Sequence, residues 1–580
     1  MFASAPSLET RAAFGAAPSF SGRRWLLKQA DEERTRALAR ANDLPLVLAG
    51  LLVARGMTAE DLNPTIKRLL PEPFLFKDME KAVARAKLAV ERGEAIAIFG
   101  DYDVDGSCSA ALLHDVFAGL GVPTRIYIPD RMTEGYGPSA KALLALKDDG
   151  ASLVITVDCG AGAHDALAAA RDAGLDVIVL DHHAVHVPPP ALAHVNPNQP
   201  GDTSGQGHIA AVGVTFLFAV ALVRALRGAR AVPDLMEVLD LVALATVCDV
   251  VPLTGVNRAF VRAGLAQLGS LKRPGLAALA GVAKSSSPFT AYHCGYVFGP
   301  RINAGGRVGR SSLGVDLLTT RDAALAGEFA LALDVHNQER QAIEKAILDE
   351  AVAFAATKVN QPYLFAAKDG WHAGVVGIVA GRLKDRFGKP SFVAGFEGGM
   401  GRGSARSVPG LDIGQVVRDA KDAGVVESGG GHAMAAGFSL MAEQRDAFEA
   451  FLARRFESGG PAGALDLEID ALVSPAGATE TLVRDIAHAG PFGAGNPEPV
   501  FAFPDVRVVH ADVVGRDHVK LRLEGGLDAI AFRTADTALG KALLASRGRT
   551  IHAAGRLRTD EWNGRVRVQL HLEDAAPAGA

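Results

Sequence analysis

From residue 95 onward the apolar positions fall in strand-sized runs, at 95–99, 125–128, 153–157 and 177–180. Longer stretches of helical pattern separate them, at 107–120, 139–147 and 163–173. Strand-sized runs alternating with helices predict βαβ units and a parallel sheet covered on both faces. Two more segments, 209–223 and 234–248, are apolar almost throughout and predict buried helices. The first is the best membrane candidate, but it falls short of the roughly 20 residues that span a bilayer. A helical stretch at 323–359 has a polar middle, Asn337-Gln338-Glu339-Arg340-Gln341, the profile of a helix bridging two domains. A second α/β pattern, with two Gly-rich segments, runs from 362 to 455. Beyond a Gly/Pro cluster at 459–463, short β-like runs at 507–514, 519–523, 529–532, 551–557 and 566–572 predict a small barrel.

These blocks divide the 580 residues into a helical lead-in (1–75), a main α/β domain (76–322), a connecting helix (323–359), a smaller α/β domain (360–460) and a β module (465–573). Composition agrees: 49% hydrophobic and 22% charged residues supply real cores and exclude disorder for most of the chain. A net charge of -5 means that any polyanionic partner is met by a local cleft. Cys108, Cys159, Cys248 and Cys294 lie far apart, with no C-x-x-C pair. That excludes a disulfide framework and a thiolate zinc site, and it predicts a reducing, cytoplasmic setting.

Candidate chemistry gathers where apolar strands end. The run 95–99 leads into Gly100-Asp101-Tyr102-Asp103-Val104-Asp105-Gly106. Three carboxylates at a spacing of two repel one another unless a divalent cation neutralises them. An EF-hand loop is excluded, because the twelfth position from Asp101 is Leu112 rather than Glu. The next strands end in Asp158-Cys159-Gly160 and in Asp181-His182-His183, and the apolar segment 234–248 runs into Asp249. Ligands of open parallel sheets bind beyond the carboxyl ends of the strands, so these clusters converge on one crevice. A carboxylate-rich set with one or two imidazoles suits Mn²⁺ or Mg²⁺ better than structural zinc, and several shared carboxylates predict two ions. Paired ions are suited to in-line hydrolysis of phosphate esters. Phosphate donors are available in Arg301-Ile302-Asn303-Ala304-Gly305-Gly306-Arg307, in Arg402-Gly403-Ser404-Ala405-Arg406 and in Gly429-Gly430-Gly431-His432. There, glycines let backbone amides approach and Arg supplies forked donors.

On Asp-Tyr-Asp-Val-Asp-Gly, Val-Asp-Cys-Gly, Asp-His-His and Gly-Gly-Gly-His, the chain resembles the DHH phosphoesterases. Trp371-His372-Ala373-Gly374 and Gly299-Pro300-Arg301-Ile302-Asn303 look like motifs of their single-strand-specific DNA exonuclease branch. The resemblance runs from about 70 to 570. It implies a parallel-sheet DHH domain and a smaller α/β DHH-associated domain joined by the long helix, with a C-terminal OB-fold barrel. It implies two Mn²⁺ or Mg²⁺ ions held by Asp101, Asp103, Asp105, Asp158, His182 and Asp249, with His183 turned to the scissile phosphate. Arg301, Asn303, Arg307, His372, Arg402, Arg406 and His432 would position the strand. Smaller DHH phosphatases often carry a His four residues before the first Asp, where this chain has Ala97. The OB-like module carries more Arg and Lys than Asp and Glu, and Trp562 is a candidate stacking residue, with Phe501, Phe503 and Phe532.

The implied activity is 5′→3′ exonucleolysis of single-stranded DNA in repair and recombination. The partners are single-stranded DNA, a single-strand-binding protein and a helicase, for a cytoplasmic monomer without a membrane anchor. A phosphatase of short oligonucleotides or cyclic dinucleotides is disfavoured by the length and the OB-like module. A binding-only protein is disfavoured by the intact set of Asp and His, which is costly to keep without chemistry.

Overall fold

The computed structural model describes residues 10–14, 18–131, 133–358, 360–457, 466–562 and 565–579. Contacts gather them into two units, one of residues 64–461 with 493–495 and one of 1–63, 462–492 and 496–580.

The first unit opens with five parallel strands: β1 (Ile96–Gly100), β2 (Thr124–Tyr127), β3 (Leu153–Val157), β4 (Asp176–Leu180) and β5 (Ala193–Val195), in the order β2-β1-β3-β4-β5. Every residue of β1 and β3 is buried, which is why these strands read as unbroken apolar runs. The helices α1 (Val104–Gly119), α2 (Ala140–Asp148) and α3 (His164–Asp172) follow the first three strands. Two more, α4 (Ala211–Leu226) and α5 (Leu239–Cys248), are the predicted apolar segments. Phe216 and Phe218 of α4 share one core with Leu112, Leu113 and Phe117 of α1, so α4 is a core helix. Among the described residues no helix is long and apolar enough to cross a membrane.

After α6 (Gly299–Val308), helix α7 (Ala323–Thr357) starts at Asp322, whose carboxylate accepts the amides of Ala324 and Leu325. Its first half buries Ala330 and Leu333 in the core of the parallel sheet, and its second half buries Ile347, Ala351 and Ala355 against the next domain. The polar middle is not simply solvated. Asn337 and Arg340 are buried, and Arg340 donates to Asn337 Oδ1 at 3.0 Å and pairs with Glu344 at 2.6 Å.

The smaller domain is a mixed sheet of β6 (Leu364–Asp369), β7 (Ser391–Glu397), β8 (Met400–Arg406), β9 (Ser428–His432) and β10 (Ala435–Met441), in the order β9-β10-β8-β7-β6. Helices α8 (Val376–Phe387) and α9 (Ile413–Asp422) pack on it. Gly403 of β8 lies against the Phe438 ring, where any Cβ would collide.

In the second unit β11 (Phe501–Val514), β12 (His518–Leu523), β13 (Asp528–Ala531), β14 (Thr550–Trp562) and β15 (Arg565–Pro577) pair in the order β11-β12-β13-β15-β14. Strand β14 also pairs with β11, closing a ring of pairings. Phe501 and Phe503 are core residues, whereas Phe532 is 48% exposed between His518 and His571. The first residues depart from the helical expectation. Helices at Glu32–Asn42 and Leu46–Ala54 are present, but Thr10–Ala12 and Trp25–Lys28 are strands. Trp25–Lys28 pairs in parallel with Leu467–Ile469, and Leu48, Leu51 and Leu52 join the core of β11 and β12. A partner more than 400 residues away leaves no local signature.

Candidate metal centre and phosphate groove

The ends of β1, β3 and β4, the start of α1 and the end of α5 deliver their side chains to the same place. Asp101 follows β1. Asp103 caps α1, accepting the Gly106 amide at 3.0 Å, and Asp105 lies in the first turn. Asp158 follows β3 with a φ of 59°, a left-handed conformation that Asp tolerates better than most residues. Asp181, His182 and His183 follow β4, and Asp249 is the first residue beyond α5. Three sets bring ligand atoms within 4.8 Å of one another: Asp101, Asp103 and Asp158; Asp105, His182 and Asp249; and Asp158, His182 and His183. His182 bridges them, with Nε2 at 3.4 Å from Asp158 Oδ1 and Nδ1 at 3.7 Å from Asp249 Oδ2. All seven residues singled out for the centre are therefore together.

Their electrostatics demand a cation. Burial, then the charge of Asp103, holds Asp101 well above the usual carboxylate range. Burial, followed by Asp105 and Asp103, does the same to Asp158. Asp249 is pushed up to about 7 by burial and by Asp103. Asp101 Oδ1 and Asp249 Oδ2 are buried with no hydrogen-bond donor among the described residues. Orphaned, mutually repelling carboxylate oxygens beside a neutral imidazole are a donor set for Mn²⁺ or Mg²⁺. Asp105 differs from the rest. Its two oxygens accept the amides of Ala211 at 2.7 Å and Val212 at 2.9 Å, so it also anchors the start of α4.

The two histidines are driven apart. Burial, then the charge of His183, lowers His182 to about 4, leaving it a neutral ligand. Burial also opposes charge on His183, but its hydrogen bond to Asp181 and the Asp181 charge outweigh this and raise it to about 9. Asp181 Oδ1 lies 2.7 Å from His183 Nδ1 and accepts the His182 amide, while Oδ2 accepts the Ala161 amide.

Four positioning residues are absent from the set read off the sequence. Asp181 is one. Asn196 and Asn198 donate to the carbonyls of His183 (2.9 Å) and His182 (2.6 Å). Tyr136 donates to the Asp158 carbonyl at 2.9 Å and sets its ring edge-on to His183. The available signals were the triplet itself, the Asn-Pro-Asn after β5 and the glycines on either side of Tyr136.

Beside the acidic centre is a cavity of about 440 Å³, lined by Arg131, Arg307, Arg402, Ser404 and Arg406 and by the Gly431 and Gly437 backbone. The Arg131 guanidinium lies 5.0 Å from the centre of the Tyr102 ring, between Asp101 and Asp103 in the chain. Arg307 donates to the Gly374 carbonyl, and burial, then Arg131 and Arg340, lowers it to about 10. Arg406 donates to Ser404 Oγ at 2.7 Å, and burial pushes it down too. Among the described residues no carboxylate lies within ion-pair distance of Arg307, Arg402 or Arg406. Crowded cations without counter-ions make an anion site.

The remaining strand-positioning candidates are elsewhere. Arg301 is bound to Asp334 Oδ1 (2.8 Å) and to the Val297 carbonyl, not to the groove. Six residues on a helix amount to 600°, so α6 turns Arg301 and Arg307 about 120° apart and cannot aim both at one cavity. Asn303 and His372 are half-buried outside the lining, with His372 Nδ1 accepting the Gly374 amide. His432 is exposed at the end of β9. The Trp562 side chain lies outside the described residues. Arg131 was missed, since it stands in an irregular loop after β2 with no glycine-rich motif.

Comparison with known proteins adds three domain matches. The DHH family N-terminal domain matches residues 95–246, the DHHA1 domain 360–458 and the RecJ OB domain 469–574. The single-stranded-DNA-specific exonuclease RecJ of Escherichia coli (strain K12) is 35% identical over 584 residues, covering 95% of this chain and 100% of that protein. The crystal structure of RecJ from Thermus thermophilus in complex with Mn²⁺ superimposes with a TM-score of 0.83 at 30% identity, over 96% of this chain and 80% of that one. The Mg²⁺ complex of the same protein gives 0.76 at 28% identity, over 96% and 79%.

Proposed function

This chain belongs to the RecJ family of single-stranded-DNA-specific exonucleases, and from that premise we propose that it hydrolyses single-stranded DNA from the 5′ end. The observation that carries the reading is the junction of two opposite sites: seven acidic and imidazole residues gathered from strand and helix ends, and an arginine-lined cavity beside them.

Asp101, Asp103, Asp158, His182 and Asp249 would hold two Mn²⁺ or Mg²⁺ ions, with Asp105 sharing its carboxylate between the centre and α4. Such ions, when bound, lower the pKa of an attacking water and offset charge on the attacking and departing oxygens. The protein's own part is orientation. Asp181 fixes the His183 ring through Nδ1, which leaves Nε2 to donate to a phosphate oxygen at the bond being cut. Asn196 and Asn198 pin the same turn through its carbonyls. Arg131, Arg307 and Arg406 grip the end phosphate, and the glycines of β9 and β10 let the backbone come close. A cavity of about 440 Å³ is of small-ligand size and takes one strand end rather than a duplex.

Residues 76–322 then serve as the catalytic domain, 360–460 as the phosphate-gripping domain across the groove and 465–573 as a binding domain for the trailing strand. The same reading makes the chain a cytoplasmic monomer in DNA repair and recombination, beside a helicase and a single-strand-binding protein that supply and coat its substrate. Digestion of 5′-labelled and 3′-labelled single strands in Mn²⁺ and in Mg²⁺, with blunt duplex as control, tests it. Mononucleotide release from the 5′ end of single strands alone is expected; release from the 3′ end, or equal digestion of duplex, overturns it.

A further inference from the structure

Tyr292 and Tyr296 stack on each other, with ring centroids 5.2 Å apart and planes 23° from parallel. Yet they remain 55% and 73% exposed. Large aromatic side chains are normally spent on cores, so a paired, solvent-facing set calls for a ligand. The pair sits on the π-helical stretch at His293–Phe298 and the residue before it, a rare geometry that recurs at functional sites.

Its place in the fold is specific. The Cys248 thiol donates to the Cys294 carbonyl at 3.3 Å, and Gly299 leaves no room for a Cβ beside Cys248 Sγ. The tyrosine stretch is thus fastened to the last turn of α5, the helix that runs directly into Asp249. Val250, the next residue, is 70% exposed and has a φ of 61°, outside the usual range for a β-branched residue. The acidic centre therefore has two unlike flanks. On the Asp101–Asp103 side stands Arg131 over Tyr102, leading into the arginine cavity. Beyond Asp249 come the exposed Val250 and, on the stretch fastened to the last turn of α5, the two exposed tyrosines.

We infer that Tyr292 and Tyr296 form a base-stacking platform for the nucleotides that follow the scissile bond. The inference rests on the exonuclease reading above. A strand whose end phosphate is held by the arginines, with its scissile bond at the carboxylates, leaves the centre along the Asp249 flank. Its phosphates cannot be neutralised by tyrosine, but its bases have a π-face to lay on the open side of the pair. Such stacking is independent of sequence, as an enzyme that degrades any strand requires.

The test is the double variant Tyr292→Ala/Tyr296→Ala in the full chain. With Mn²⁺ and a long oligo-dT strand, KM should rise about tenfold while kcat is retained, the size of effect that loss of one or two stacked bases gives. The Tyr292→Phe/Tyr296→Phe variant should restore KM, since the ring and not the hydroxyl does the work. A strand made abasic beyond its first few nucleotides should give the wild type and the alanine variant the same KM. An unchanged KM on oligo-dT overturns the platform. So does a loss that phenylalanine fails to restore, or one that persists on the abasic strand. Equilibrium binding of fluorescent oligo-dT in Ca²⁺ reads the platform separately from cleavage. A wild type that binds tenfold tighter than the alanine variant but cuts nothing supports the platform and overturns the exonuclease reading.

Discussion

Asp103 and His182 touch different neighbours in the acidic centre, and both are expected to be indispensable. Asp103→Ala or His182→Ala should lower cleavage of labelled single strands by more than about a hundredfold while gel-shift affinity is retained, because the arginine cavity is untouched. Asp181 acts one step back. Asp181→Asn removes the charge that orients His183, and a loss of about 10- to 100-fold in kcat is expected, as for other groups supporting metal-site histidines. Arg406 lines the cavity rather than the acidic centre, and on the proposed function it meets the strand rather than the ions. Arg406→Ala should weaken binding to all sequences alike and reduce the slope of log affinity against log salt by about one, measured by titration at several salt concentrations.

At the level of elements, the centre depends on helices that reach it from opposite ends. Helix α1 presents Asp103 and Asp105 at its start, and α5 presents Asp249 at its finish. Arg273 ties them together away from the centre, pairing with Asp115 of α1 and Asp240 of α5 at 2.9 Å each. All three side chains are buried, so Arg273→Leu leaves Asp240 without its cation. A loss of about 3–5 kcal/mol of unfolding free energy is expected in urea titration, with only a secondary effect on the site. Little change in the unfolding midpoint would mean that water reaches this network.

The whole molecule is not assembled in chain order. The first 63 residues belong to the same unit as the C-terminal β domain, through the pairing of Trp25–Lys28 with Leu467–Ile469 and the bond from Trp25 Nε1 to Asp574. Cutting the chain at 465 therefore strips Leu48, Leu51 and Leu52 of their core and should yield an aggregating product. Removing residues 1–63 as well should restore a soluble protein that still cuts short oligonucleotides but binds long strands more weakly, as size-exclusion chromatography and strand titration will show. On the proposed function, selectivity for single strands rests on the cavity beside the candidate metal centre, which is of small-ligand size. Duplex with a 5′ single-stranded tail should be trimmed to the junction, while blunt duplex resists even when low salt strengthens every phosphate contact.

The sequence alone determined the parallel sheet, the long connecting helix, the β module and the acidic and histidine clusters that the structure brings together as the candidate metal centre. The reason is local. A strand that is apolar on both faces must stop before it can carry an aspartate, so ligand and strand end are adjacent in the chain. What needed the tertiary structure was every partner distant in sequence. Arg131 could not be told from any loop arginine until it was seen over Tyr102, and Arg301 could not be told from Arg307 until α6 took its rotation against Asp334. The hold of Asn196 and Asn198 on the histidine turn, the buried polar middle of α7 and the strand at Trp25–Lys28 are of the same kind. Each depends on a hydrogen bond or a core shared with another part of the chain, and such contacts exist only once the elements have packed.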